Sequence, residues 1–405
     1  MSAIKTLPLV LALLTMADFA FAQTWTQTGA PSNGGWYGIA SSADGNKLVA
    51  VRNNSIYLST NSGVTWTPSF VPTGKQWQGI ASSADGVKLA AADANFGGIF
   101  TSTNSGLTWI SNSVPNNYWW SLASSADGTK LAAAVGLGVG PIFTSTNSGM
   151  TWRQTSSSSN YWSSVASSAD GTKLAAVQQG NYPDFQGRVY TSTNSGTTWT
   201  QTSAIIQSWK SVASSADGNI LIAAGISSAF GGIGGLYTST NSGVTWISNS
   251  VSKYIFNVSS VAISAEGDKM VAVNFVENSV LPPGFSSIYT STDSGATWQT
   301  NNVSATNWQA VASSADGNKL VAATWGGGIW TSQRTSSPQL NITPLSTILT
   351  LSWLIPSTNF VLQQSADLLS WAGVTNPPVL NLTNLQNQVT LPPSGSSGFY
   401  RLKTP

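Results

Sequence analysis

The sequence predicts an all-β chain: a seven-bladed β-propeller closed by its own N-terminal strand, followed by a small C-terminal β-sandwich-like module. Three observations lead there. A phrase close to ASSADG occurs seven times, with its acidic residue at Asp44, Asp85, Asp127, Asp170, Asp217, Glu266 and Asp316. The copies lie 41 to 50 residues apart, a period that fits four short strands per unit. Short β-branched and aromatic runs alternate with turn signals throughout.

Each unit divides in the same way. The first strand reads W-x-x-(I/V/L)-A-S-S, as from Trp77 to Ser83, and runs into an ADG-x-K turn. The second strand is rich in Ala and Val, as from Leu48 to Val51. A loop of variable length leads to a third strand, (I/V/L)-(Y/F)-T-S-T. An N-S-G-x turn then leads to a fourth strand opening at T-W. Gly63, Gly106, Gly149, Gly196, Gly243 and Gly295 share one turn position, which predicts a positive φ there.

The seventh unit ends at Ile329-Trp330-Thr331-Ser332 without the N-S-G-x-T-W piece. Thr24-Trp25-Thr26-Gln27-Thr28 matches Thr198-Trp199-Thr200-Gln201-Thr202 and supplies it. Residues 24–30 are therefore expected to pair as the outermost strand of the blade built from 308–333, covering a bare sheet edge.

Most of the 18 Trp residues follow the repeat. Trp25, Trp66, Trp109, Trp152, Trp199, Trp246 and Trp298 open fourth strands. Trp36, Trp77, Trp119, Trp162, Trp209 and Trp308 open first strands. Packing between blades accounts for both sets. Trp120, beside Trp119, falls outside the pattern.

The turn S-T-N-S-G-x-T-W resembles the Asp-box of bacterial neuraminidase (BNR) repeats. Ser291, Asp293, Gly295, Thr297 and Trp298 match that box in full, whereas Asn61, Asn104, Asn147, Asn194 and Asn241 stand at the Asp place in the other copies. Asn keeps the side-chain acceptor such a turn needs. The array is also similar to seven-bladed propellers of the photosystem II assembly-factor type and to WD-like propellers of secreted bacterial proteins. The resemblance implies a sialidase-like fold, not sialidase activity, because in Asp-box proteins the box is a folding motif set away from the active site.

Residues 1–22 read as a signal peptide: Lys5, an apolar run from Leu7 to Leu14, and Ala20-Phe21-Ala22 before Gln23. The expected location is secreted, extracellular or periplasmic, after cleavage near Ala22-Gln23. Residues 23–335 form the expected propeller. Residues 336–405 form the C-terminal module, with short strands expected at Ile348–Trp353, Phe360–Gln364, Val379–Leu382, Gln388–Leu391 and Phe399–Leu402.

Composition narrows the chemistry. Charged residues make up 7% of the chain and the net charge is +2, so no basic stripe exists to track a nucleic acid. Cys and His are both absent, which removes thiolate metal sites and the Ser-His and Cys-His nucleophile pairs. No cofactor, metal or membrane span is expected, and the chain is expected to be a monomer.

The five arginines, Arg52, Arg153, Arg188, Arg334 and Arg401, are too scattered along the repeat to build the arginine triad of a sialidase. Asp93, Asp184 and Glu277 are the candidate catalytic carboxylates, since they lie off the repeat pattern on loops between second and third strands. Those loops and the connections from fourth to first strands share one face. It carries the ligand-binding candidates Tyr182, Asp184, Phe185, Arg188, Phe230, Phe275, Glu277, Phe285 and Trp120. The first-strand Trp residues are expected to open onto the same face.

The reading is a non-catalytic recognition or scaffold propeller that binds an extracellular glycan or protein on this face. The alternatives are a carbohydrate-active hydrolase or lyase using loop carboxylates, and a structural envelope protein.

Overall fold

A computed structural model describes residues 24–180, 186–226, 234–249, 257–275, 287–301, 303, 307–334, 340–344, 348–354, 361–366, 370–381, 385–391 and 399–403. The expected signal peptide and residues 335–339, where the expected propeller passes into the C-terminal module, lie outside them.

The described residues contain no helix, and seven four-stranded antiparallel sheets follow one another along the chain. The first is built from Trp36–Ser41, Leu48–Arg52, Ser55–Ser59 and Thr67–Pro68. In the seventh, Trp308–Ser313, Lys319–Thr324 and Ile329–Gln333 are joined by Trp25–Gln27 from the start of the chain. The register is Trp25 opposite Ser332, Thr26 opposite Thr331 and Gln27 opposite Trp330. The fourth strands are shorter than the sequence suggests. Except for Trp25–Gln27, they begin one residue after the Trp, as at Thr67 and Ile110.

Second strands such as Leu89–Asp93 and Leu131–Val135 are buried along their whole length. Burial on both faces explains why they read as unbroken apolar runs, and Ala allows neighbouring sheets to approach closely. Seven hydrophobic clusters form, each shared by two neighbouring sheets. One joins Trp36 and Ile39 of the first sheet to Val321 and Ile329 of the seventh. Trp36, Trp77, Trp119, Trp162, Trp209 and Trp308 sit in these junctions with 0–1% exposure. All six meet an aromatic of their own third strand edge-on, as Trp77 meets Phe100 at 5.2 Å and Trp308 meets Trp330 at 6.3 Å. These rings are packing elements and do not open onto the loop-bearing face.

Around the axis, the Ala of each ADG turn donates its amide to the Ala carbonyl of the next sheet. The circuit runs Ala43, Ala84, Ala126, Ala169, Ala216, Ala265, Ala315 and back to Ala43, at 2.7–2.8 Å per step. The N-S-G-x turns repeat with equal fidelity. Ser59 Oγ accepts from the Gly63 amide at 2.9 Å, and Asn61 Oδ1 accepts from the Thr65 amide at 2.9 Å. Gly63 has φ 87°, as the sequence requires.

In the C-terminal segment, a four-stranded sheet (Asn341–Pro344, Leu349–Leu354, Gln386–Leu391, Val379–Asn381) faces a three-stranded one (Ala372–Gly373, Val361–Ser365, Phe399–Lys403). Leu351, Trp353, Leu362, Val389 and Leu391 form their shared core. The strands at Asn341–Pro344 and Ala372–Gly373 are additions to the sequence reading. Leu385 of this segment packs on the alanines of the axial circuit, and Gln386 Nε2 donates to Glu266 Oε1 at 2.9 Å.

Candidate functional site

Every innermost strand carries the same irregularity. The register against the second strand shifts just after the repeat's leading Trp or Val: between Trp36 and Gly38, Trp77 and Gly79, Trp119 and Ser121, Trp162 and Ser164, Trp209 and Ser211, Val258 and Ser260, and Trp308 and Ala310. A bulge frees one residue from the ladder and re-aims its side chain. The freed residues are Tyr37, Gln78, Trp120, Ser163, Lys210, Ser259 and Gln309. All seven lie at the loop-bearing end of the innermost strands.

Two of them turn sideways. Ser163 Oγ donates to the Trp209 carbonyl at 2.8 Å, and Ser259 Oγ donates to the Trp308 carbonyl at 2.6 Å. Lys210, on the sheet between them, instead places its ammonium over the ring of Trp120, 5.7 Å from the centroid. Trp120 belongs to the third sheet and Lys210 to the fifth. Sheets that are not neighbours meet only across the axis, so this pair marks its loop-side end. Lys210 keeps some contact with solvent but is densely surrounded, and burial holds its pKa below the ordinary lysine value. Its ammonium makes no hydrogen bond or ion pair among the described residues. Tyr37 packs edge-on against Trp325 at 5.0 Å, and burial pushes its phenol pKa up, partly offset by a hydrogen bond with Asn53.

Outward from Trp120 the surface becomes apolar. The Gly136 amide donates to the Tyr118 carbonyl at 3.0 Å, and the absent Cβ of Gly136 leaves room for the Trp120 side chain. The Tyr118 ring stands 5.4 Å from that of Phe96 and borders Gly138. Phe96, Leu137 and Val139 are each more than half exposed.

The sequence candidates fall into three groups. Tyr182, Asp184, Phe185, Phe230, Glu277 and Phe285 lie outside the described residues. Arg188 and Phe275 are half-buried and enter their loops through the backbone: the Arg188 carbonyl accepts from the Gln178 amide, and the Phe275 amide donates to the Asn257 carbonyl. Asp93 is buried, held by Lys75 Nζ at 3.1 Å and by the amides of Gln76 and Asn95, each at 3.1 Å. That carboxylate is engaged in fixing its own loop. Trp120 is the candidate that the structure brings into a constellation.

Sequence reasoning missed Lys210, Phe96 and Tyr118. Lys210 had a signal: it is the one charged residue at the second position of a first strand.

The arginines do not converge. Arg52 lies over Trp36, Arg153 is on an outer strand, and Arg401 stacks on Trp371 at 4.0 Å in the C-terminal segment. Crevices on the opposite face, lined by Lys130, Leu131 and Ser195 or by Lys173, Leu174 and Ser242, repeat from sheet to sheet as packing geometry does.

Comparison with solved structures bears on this geometry. The chain is similar to YCF48 bound to D1 peptide, at TM-score 0.57 and 14% identity, covering 78% of this chain and 98% of that one. It is similar to YCF48 from Cyanidioschyzon merolae at TM-score 0.58 and 14% identity, covering 76% and 98%. It is also similar to Kuenenia stuttgartiensis hydrazine synthase at TM-score 0.60 and 14% identity, covering 77% and 98%. The fold is a β-propeller. At this identity the likeness extends to the fold alone. No family model and no curated protein matches the chain. Among the described residues, no helix of the propeller or its C-terminal segment is long and apolar enough to cross a membrane.

Proposed function

We propose that this propeller is an exported, non-catalytic recognition or scaffold protein that binds a protein partner on its loop-bearing face. The observation that carries the reading is the exposed apolar cluster of Phe96, Tyr118, Leu137 and Val139 beside Trp120. Short loops between the sheets hold these side chains in water, where folding gains nothing from them, and such patches mark interaction surfaces. Aliphatic Leu137 and Val139 suit a peptide better than a sugar, which needs flat rings and hydrogen-bond donors. The likeness to YCF48 bound to D1 peptide supports a protein partner. Export rests on Lys5, the run Leu7–Leu14 and the Ala20-Phe21-Ala22 site.

The test is a peptide and glycan array probed with the parent protein and with Phe96→Ser and Tyr118→Ser. Loss of peptide hits in both variants, at unchanged melting temperature, is the expected result. Hits that survive both substitutions, or hits confined to glycans, refute this assignment.

A further inference from the structure

We propose that the loop-side mouth of the axis is an anion seat, where Lys210 pairs with a carboxylate carried by an apolar peptide segment lying over Tyr118 and Phe96. The proposal rests on the loop-face reading above and names the chemistry of its ligand.

A cation held in a crowded site without an anion is costly, and a fold keeps one where a ligand completes the pair. Lys210 fits that description. Its ammonium meets the face of Trp120, and no carboxylate among the described residues pairs with it. A ring face offsets only part of the lost hydration. The other freed positions, Tyr37, Gln78 and Gln309, are half-buried and uncharged, so they offer no internal competitor. The depressed pKa of Lys210 has burial as its cause, and a bound carboxylate would reverse it.

The approach to the seat is continuous. Trp120 rests on Gly136, Gly136 is hydrogen-bonded to Tyr118, and Tyr118 meets Phe96. An extended segment that lays apolar side chains on Phe96, Leu137 and Val139 therefore ends at Lys210. A pyranose ring fits less well, because the Trp120 face it would stack on already carries the ammonium.

The experiment is calorimetric titration of four probes: acetyl-Leu-Leu-Phe-Glu-amide, its Gln counterpart, acetyl-Leu-Leu-Phe with a free terminus, and trigalacturonate. The proteins are the parent, Lys210→Met and Phe96→Ser, with Lys210→Gln as a second replacement should the Met variant fail to fold. The expected result is at least tenfold tighter binding of one carboxylate peptide than of the Gln peptide. Lys210→Met should erase that preference, and Phe96→Ser should weaken every peptide. Comparing the Glu-amide with the free-terminus probe identifies which carboxylate the seat takes. Equal binding of the Glu and Gln peptides, or a preference that survives Lys210→Met, overturns the seat while peptide binding that depends on Phe96 leaves the loop-face reading standing. Binding of trigalacturonate alone overturns the peptide class. Failure of all four probes overturns the seat, and the array experiment then decides the loop-face reading separately.

Discussion

The amide of Ala315 donates to the carbonyl of Ala43 at 2.7 Å, which ties the last sheet to the first at the axis. The same two sheets share a hydrophobic cluster around Trp36, and the last sheet takes its outermost strand, Trp25–Gln27, from the chain start. The link thus has a polar inner part and an apolar body. The outer strand adds a third tie, since Trp25 packs in the cluster shared with the sixth sheet while Ala30, just after it, belongs to the Trp36 cluster.

Deletion of residues 24–30 exposes the edge of Ile329–Gln333 and removes Trp25, which is 9% exposed and lies 6.4 Å from Trp308. Unpaired strand groups and the lost indole act together. The expected outcome is loss of cooperative unfolding, or aggregation, in calorimetry. Trp25→Ala alone should cost about 3–5 kcal/mol in denaturant titration. A deletion variant that melts like the parent contradicts this role.

The N-S-G-x turn should accept either acceptor. Asn61 Oδ1 takes the Thr65 amide at 2.9 Å and its Nδ2 donates to Thr65 Oγ1 at 2.9 Å; Asp293 takes the Thr297 amide at 2.8 Å and accepts from Thr297 Oγ1 at 2.5 Å. The hydroxyl reverses its role, so the geometry is kept. Asn61→Asp and Asn194→Asp should change stability by less than about 1 kcal/mol, whereas Asn61→Ala should cost about 1–2 kcal/mol by orphaning the amide. Chemical denaturation measures both.

The ADG turns give stability an acid limit. Burial raises the pKa values of Asp127, Asp170 and Asp217, but hydrogen bonds from Ser and from the residue after Gly, with the charge of the preceding sheet's Lys, outweigh it and leave all three lowered. A lowered folded pKa contributes stability that is complete above the unfolded value, about 3.9, and is lost as pH falls through the folded one. These groups should therefore leave the melting temperature unchanged from about pH 5 upward and lower it below about pH 4. Asp127→Asn should flatten the acid limb. An acid limb that stays as steep when all three are replaced removes the turns from the explanation.

The repeat made most of the fold legible, because seven copies of a four-strand unit repeat their turn residues at fixed offsets. Positive φ at Gly63 and the pairing of Trp25 with the last sheet both follow from residue types alone. The site was less legible. The bulge that frees Trp120 and Lys210 is a register shift, which depends on two strands and leaves no mark in either. Loop length and aromatic content drew attention to Tyr182, Phe185 and Phe285, while the apolar cluster formed on short loops around Phe96 and Tyr118. Asp93 looked free because its partner, Lys75, stands on a separate loop.

The C-terminal segment should be thermally coupled to the propeller through Leu385. That side chain packs on the axial alanines, and beside it Gln386 bonds Glu266 at the surface. The exposed polar bond contributes little, so the apolar contact carries the docking. Leu385→Ser should separate one calorimetric transition into two, with the C-terminal strands melting first. Glu266→Gln should leave a single transition, since an amide oxygen accepts as well as a carboxylate at that position. A single unchanged transition in Leu385→Ser would mean that the two parts do not depend on this contact.

Lys210 should be a stability cost that the free protein bears. Its pKa is lowered by burial, so between that lowered value and about 10.4 the unfolded chain binds more protons than the folded one. Stability attributable to this residue therefore rises as pH rises through that window. Lys210→Met keeps the length of the stem against Trp120 and removes the buried charge, as when an ion pair is replaced by apolar packing. Its melting temperature at pH 7 should lie a few degrees above that of the parent, about 1 kcal/mol for a chain of this size. The difference should shrink toward pH 10, where the parent loses the same charge. A variant less stable than the parent at pH 7 would show that the ammonium already has a compensating partner at the axis.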